Sequence, residues 1–449
     1  MKMLINHRRE AKEMMMNQTP SAGTARILCF TSLLVSGGVL LMTGSSMPAQ
    51  ETRPVGKTPE DQQRNTVLLG DYDYTKYPTS SLTGYTGQDR QRVAFLSWQH
   101  AVRTRVGPRG GYKAGLTILP NGRLLLAACR NNNDQDPTKN RFVISVYESA
   151  DQGLTWQDIG KTPLLGKEPS LTALPDGSLV LSAQKDYFGP GAKLDEIYTS
   201  RSTDGGRTWE TQILPGSDYP RNMIIEPDGA LLMIRALAYA GSGRGKGSPN
   251  LQLCRSKDGG KTWQFSEGIV DWDYSNFANF AEVSAIRLKS GRLLAALRRQ
   301  PPGTSGHGFE DTMLTESSDE GKHWSKPRDM VNTAEVHVYL TELKDGRVLA
   351  TYSNYHLPWG VYAIVSKDEG KSWDLDHPIQ LALSAANYAG WPVTLQLADG
   401  SLITSYAITA YLKQPPETTV TEVVRWEMPA VASGGGEGQR GRRLPGAYP

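Results

Sequence analysis

Apolar residues in this chain come in short runs broken at intervals by Asn-Gly, Asp-Gly or Ser-Gly. The runs are LPNGRLLL, LPDGSLVL, EPDGALLM, LKSGRLLA, LKDGRVLA and LADGSLIT, with turn glycines Gly122, Gly177, Gly229, Gly291, Gly346 and Gly400. Two apolar runs around such a dipeptide predict a β-hairpin, because Gly, Asn and Asp readily take the positive φ of a tight turn. An octapeptide follows each of the first five hairpins: SADQGLTW, STDGGRTW, SKDGGKTW, SSDEGKHW and SKDEGKSW, with aspartates Asp151, Asp204, Asp258, Asp319 and Asp368. Each repeat therefore reads strand, turn, strand, loop, strand, octapeptide, strand. Four antiparallel strands in roughly fifty residues make one propeller blade. Six hairpins predict an all-β, six-bladed β-propeller of four-stranded antiparallel blades. The sixth blade has a hairpin and Thr421–Pro429 but no octapeptide. The strand it lacks is expected from Arg92–Trp98, an N-terminal strand that closes the ring and removes its open edges.

The repeats occupy residues 92–429, and the flanks read differently. Residues 1–49 carry a basic stretch ending at Arg26, an apolar run from Ile27 to Met42, and small residues around Gly44–Ala49. That order fits an export signal, or a membrane anchor if it is not cleaved. Residues 50–91 are a polar linker, and residues 430–449 have the Gly and Arg content of a disordered tail. The formal net charge is +3, from 49 Lys+Arg against 46 Asp+Glu. The same excess is found within residues 1–49, so everything after them sums to zero. That balance argues against a nucleic-acid partner. Three cysteines in 449 residues exclude a disulfide scaffold, and Cys129 and Cys254 are expected as buried thiols on strands of different blades. No nucleotide loop, acyl-transfer nucleophile motif, metal-ligand cluster or cofactor fingerprint is evident. A membrane enters only through the N-terminal segment.

The octapeptide resembles the Asp-box, or BNR repeat, of the sialidase superfamily, and five spaced copies make the resemblance specific for the fold. In that family these turns lie on the face opposite the active site. Their Asp and Ser/Thr side chains suit turn amides, and their Trp suits packing between sheets. The resemblance implies a site made of three arginines that clamp a substrate carboxylate, a Tyr nucleophile activated by a Glu, and an Asp acid/base. Tyrosine, with a free pKa near ~10, needs such a neighbouring base, and a guanidinium offers a planar fork to a carboxylate.

Blade four carries the best match. In NFAEVSAIRLKSGRLLAALRR, Glu282 and Arg298 stand on either side of Gly291 at the family's spacing, as the activating carboxylate and one clamp arginine. In blade one, Arg130 falls after the second strand, and Asp134 or Asp136 falls where the acid/base Asp is expected. The Phe-Arg-Ile-Pro motif is absent there, and Lys113 or Tyr112 takes its place. In blade five the segment NYHLPWGVYAIVS holds no arginine. In blade six Trp391 occupies the nucleophile's position, with Tyr388 three residues earlier as the remaining phenol. Glu168, Ser170, Arg221, Asn222 and His337 fall ahead of or within other inner strands and face the channel by the same register. Tyr187, Tyr239, Tyr355 and Trp359 lie in loops after second strands, where rings can stack on sugars.

The resemblance implies an exported exo-glycoside hydrolase that removes a terminal acidic sugar, sialic acid by default, from a glycan. The alternative is a non-catalytic glycan-binding propeller. The Glu282/Arg298 pair favours the first and Trp391 the second.

Overall fold

A computed structural model describes residues 94–95, 101–131, 142–185, 196–215, 220–236, 251–271, 279–300, 310–331, 335–355, 359–384, 389–409 and 419–428. The segments 1–49, 50–91 and 430–449 and the loop residues Asp134, Asp136, Tyr187, Tyr239 and Tyr388 lie outside the described residues.

The hairpin signals become six antiparallel sheets in chain order. Blade one is built from Gly111–Ile118, Leu124–Asn131, Phe142–Ser149 and Gln157–Leu165, running from the inner strand outward. Blades two to five repeat the order, and blade six contains Gly390–Gln396, Leu402–Thr409 and Thr419–Trp426. Second strands such as Leu231–Ala236 and Leu402–Thr409 are buried along their whole length. A strand covered on both faces reads as a continuous apolar run instead of an alternating one. The apolar faces meet between blades. Leu232, Ile234 and Leu251 of blade three, for example, pack with Val283, Leu293 and Trp324 of blade four. Cys129 and Cys254 are free, buried thiols on blades one and three.

An N-terminal strand does close the ring, but it is Ala101–Val106 and not Arg92–Trp98. It pairs antiparallel with the third strand of blade six, from Ala101↔Trp426 to Val106↔Thr421. The physical reason is reach. The closing strand must deliver the chain to the inner strand of blade one, and only residues 107–110 separate Val106 from Gly111. Ala94–Phe95 instead adds a short parallel rung to Ile379–Leu383 at the outer edge of blade five.

The five octapeptides are built alike. In the first, Ser149 Oγ donates to Asp151 Oδ1 at 2.8 Å and accepts from Gly153 N at 2.8 Å, while Asp151 also accepts from Thr155 N at 2.9 Å. Trp263 of the third copy donates to Thr199 Oγ1 of blade two at 3.1 Å, so the indole ties its blade to the preceding one. The inner strand of blade one runs from Gly111 towards a turn at the end where Ser149 pairs with Leu124. Asp-boxes and hairpin turns therefore share one end of the ring, and the starts of the inner strands lie at the other.

Candidate active site

Five of the six inner strands slip register near their start. The shifts fall between Tyr112 and Gly115, Lys167 and Ser170, Ala281 and Ser284, Val336 and Tyr339, and Gly390 and Val393. The residue inside each bulge has a left-handed backbone: Lys113 (φ 52°), Glu168 (58°), Glu282 (50°), His337 (55°) and Trp391 (50°). Each precedes its turn glycine by nine positions: 113 to 122, 168 to 177, 282 to 291, 337 to 346 and 391 to 400. Positive φ at a non-glycine residue costs roughly 1–3 kcal/mol, and a bulge re-aims the side chain it carries. The strain here is repeated five times at one level of the channel. Blade three has only a short inner strand, Met223–Ile225, with Arg221 and Asn222 just ahead of it. Arg221 N donates to Val283 O at 2.7 Å, and the Asn222 amide exchanges two bonds with the Ala285 backbone, at 2.7 and 2.9 Å.

The re-aimed side chains meet one another. Glu282 Oε1 is 3.2 Å from Arg298 Nε, and Arg298 also grips Glu310 through Nη1. Glu282 Oε2 faces His337 Nε2 at 3.4 Å. His337 stacks on Trp391 with ring centroids 4.6 Å apart, and Lys113 Nζ lies 4.5 Å from the centre of the Trp391 ring. Lys113 is also salt-bridged to Glu168. Arg221 Nη2 donates to Pro392 O at 2.7 Å, next to Trp391. Ser353 is the hub on blade five. Its Oγ accepts from Trp391 N at 3.1 Å and lies 3.0 Å from His337 Nδ1. A hydroxyl that accepts from an amide has its own hydrogen free for His337 Nδ1. That assigns the ring hydrogen to Nε2, on the side of Glu282.

Burial and charge then set the protonation states. Burial pushes the His337 imidazolium well below its usual 6.5, against the pull of Glu282, so the ring is neutral. Burial works against ionisation of Glu282, but His337, Arg298, Lys113 and Arg221 surround it and hold the carboxyl well below the usual carboxylate range. With His337 neutral, Arg298 in direct contact is the main support. Burial lowers the Lys113 ammonium to about 7, opposed by Glu282, and the Glu168 contact opposes it further. Among the described residues no group of three or more His, Cys, Asp or Glu could hold a metal ion.

Lys113, Arg221, Glu282, Arg298, His337 and Trp391, all marked from the sequence, thus form one cluster with Glu168. Arg130 is not drawn into it by any described contact. Arg298 stands seven residues after its turn glycine, and in blade one that position is Cys129. Alternation along a strand sends Arg130 to the opposite face. Asp134, Asp136 and Tyr388 lie outside the described residues. The sequence reading missed Ser353 and Glu310. Ser353 was signalled by the same count, seven residues after Gly346, but a serine there matched no motif.

The model of a family described as a BNR repeat-like domain matches residues 79–264 and 300–410. A sialidase from Micromonospora viridifaciens is 28% identical over 235 residues, which is 46% of this chain and 35% of that protein. A sialidase from Bacteroides fragilis is 23% identical over 320 residues, 62% of this chain and 56% of that one. The chain therefore spans about a third and just over half of these relatives' lengths. Among solved structures, a protein of unknown function from Dyadobacter fermentans superposes with a TM-score of 0.56 at 23% identity, covering 72% of this chain and 96% of that one.

Proposed function

The chain belongs to the BNR repeat-like family, in the sialidase superfamily of six-bladed propellers, and from that premise we propose that it is an exported exo-glycoside hydrolase that removes a terminal sugar from a glycan. The observation that carries the reading is Glu282. It is a carboxylate on a strained bulge, 4% exposed, held ionised by Arg298 and turned towards the channel partners His337 and Lys113. Glycoside cleavage passes through an oxocarbenium-like state, and an ionised carboxylate beside the ring opposes the positive charge that builds there. Glu282 fills that role and, as general base, takes the proton of the attacking water. One of Asp134 and Asp136, which follow the second strand of blade one in the sequence, protonates the leaving oxygen. Trp391 stands where the resemblance puts a phenol, so water attacks the sugar directly, with inversion. The basic, apolar and small segments of residues 1–49 support export.

Fluorogenic sialosides and neutral glycosides, offered to the full chain and to Glu282→Gln, test the assignment. Turnover in the unmodified protein should fall by about two to four orders of magnitude in the variant. Product analysis should show only terminal residues released. Equal turnover in both proteins would remove Glu282 from the chemistry.

One observation favours a binding propeller instead. Trp391 is 1% exposed, stacked on His337 and with Lys113 over its ring, and an indole offers no nucleophile. Retained glycan binding without turnover on any glycoside would decide for that reading.

A further inference from the structure

A buried histidine needs a reason for both ring nitrogens, because each carries a hydrogen-bonding valence that an apolar ring lacks. His337 is 1% exposed and sits on the bulge of blade five with φ 55°. Strain of that kind persists only where the surroundings over-determine it, and around this ring they do. Trp391 stacks on it with 27° between the planes. Tyr355 meets it nearly edge-on, with centroids 5.7 Å apart and planes at 75°. At Nδ1, Ser353 Oγ lies at 3.0 Å and Tyr355 Oη at 3.4 Å. Ser353 is itself fixed, since its Oγ accepts from Trp391 N and a Cβ at Gly390 would fall on it.

These contacts set the plane of the ring, and hydroxyl donors at Nδ1 leave the ring hydrogen on Nε2. Among the described residues, the carboxylate oxygen that this hydrogen faces is Glu282 Oε2, at 3.4 Å, buried and without a formed hydrogen bond. The distance is longer than a formed bond, and catalytic hydrogen bonds of a resting site are often long and tighten when substrate arrives. The other oxygen, Oε1, faces Arg298 Nε at 3.2 Å. A carboxylate held at both oxygens is kept from rotating, so its remaining lone pairs keep one direction.

We infer that His337 is a positioning residue for the glycosidase chemistry: its Nε2–H, aimed by Ser353, Tyr355 and Trp391, closes on Glu282 Oε2 and fixes the carboxylate that takes the proton of the attacking water. The inference rests on the reading of Glu282 as the base. His337 gives up no proton in this role; the bonds that break and form stay with water, Glu282 and the sugar. The charges around Glu282 are Arg298 from its own blade, with Glu310 behind it, Lys113 of blade one, salt-bridged to Glu168 of blade two, and Arg221 of blade three. His337 adds a neutral donor to that set, so its removal raises the proton affinity of Glu282 without changing the local charge.

Steady-state kinetics of the full chain across pH, on a fluorogenic glycoside that it turns over, test this beside His337→Gln and His337→Met. Glutamine carries an amide N–H at the reach of Nε2, and methionine fills the space without a donor. His337→Met should lose about tenfold in kcat, the size of one hydrogen bond to a charged group. Its KM should change little, and the acidic limb of its kcat/KM profile should move to higher pH. His337→Gln should recover most of kcat and return the limb. A ring that serves packing alone would lower the melting temperature of both variants and leave the limb in place, which would overturn the inference. Full activity of His337→Met beside an inactive Glu282→Gln would also overturn it and leave the hydrolase reading standing. Turnover of no glycoside would overturn both. If His337→Met does not fold, nitrogen NMR of the unmodified chain decides: the His337 signals should place the ring hydrogen on Nε2, and a hydrogen on Nδ1 would overturn the inference.

Discussion

The two ends of the ring solve one backbone problem in opposite ways. At the Asp-box end the chain repeats both conformation and chemistry. In all five copies the Ser Oγ to Asp Oδ1 distance lies between 2.7 and 2.9 Å, from 2.8 Å in the first to 2.7 Å in the fifth. At the bulge end the conformation repeats, with φ between 50° and 58°, while the side chains read Lys, Glu, Glu, His and Trp around the channel. Three further non-glycine residues with positive φ, Gln152, Glu320 and Glu369, sit in Asp-box turns, where they serve the turn. The difference teaches where function can reside in a repeat fold. Identical side chains on a repeated backbone hold the ring together; different side chains on an equally repeated backbone make a site.

The sharpest way to break this comparison is to remove one carboxylate from each end. Glu282→Gln should lower turnover by about two to four orders of magnitude and shift the melting temperature little, since Arg298 keeps Glu310. Asp258→Asn should leave turnover unchanged and lower the unfolding midpoint, because Asp258 serves Ser256, Lys261 and Thr262 inside its turn. Equal losses of turnover in both variants would dissolve the division between the ends.

Gly390 gives the next largest effect. Its φ is 119°, and a Cβ there would fall on Ser353, the hub that joins Trp391 to His337. Gly390→Ala must both strain the backbone and displace that serine, for a cost of about 3 kcal/mol or more. Denaturant midpoints will show it, and activity should fall with stability.

These contrasts also explain what the sequence could reveal. Turn dipeptides and octapeptides are local and repeated, so blade number, strand order and the role of the five Asp residues were legible. The closing strand was not. Arg92–Trp98 and Ala101–Val106 are both plausible strands, and only the short span to Gly111 chooses between them. At the bulge end, position was legible by counting back from each turn glycine, which marked Glu282, His337 and Trp391. The pairings were not legible, because Lys113–Glu168 and Trp391–Ser353 join different blades and are set by a register slip that leaves no motif. Arg130 shows the converse: it matched a motif by sequence distance, while strand alternation turns it to the other face from Cys129, which stands seven residues after its turn glycine as Arg298 does.

The two ends should also titrate in separate windows. His337 is neutral in the fold with its pKa driven below 6.5, while in the unfolded chain it protonates near 6.5. The unfolded state then binds the extra proton, so stability is lost as pH falls below 6.5, by at most about 1.4 kcal/mol per pH unit. The Asp-box carboxylates run the other way in origin. Burial resists the ionisation of Asp258, but its turn partners win and hold it at about 2 against an ordinary 3.8, so its stabilisation is present above that ordinary value and lost as pH falls towards 2. Urea unfolding of the unmodified protein, His337→Asn and Asp258→Asn at a series of pH values checks both windows. His337→Asn should flatten the slope just below 6.5, and Asp258→Asn only the slope below about 4.

The smallest effect is the control for Gly390. Gly122, at the hairpin turn of blade one, has φ 82°, and nothing lies within 4 Å of where a Cβ would stand. Gly122→Ala therefore meets backbone strain alone, about 1 kcal/mol. The turn bond from Gly122 N to Leu119 O, 2.8 Å long, is kept by any residue that accepts the left-handed conformation, so turnover should not change. Gly122→Asn should recover part of the loss, because asparagine visits that region more readily than alanine. A cost at Gly122 equal to that at Gly390 would mean that positive φ, and not the contact with Ser353, fixes glycine at the head of blade six. The close approach between blades five and six would then no longer explain how Trp391 is held against His337.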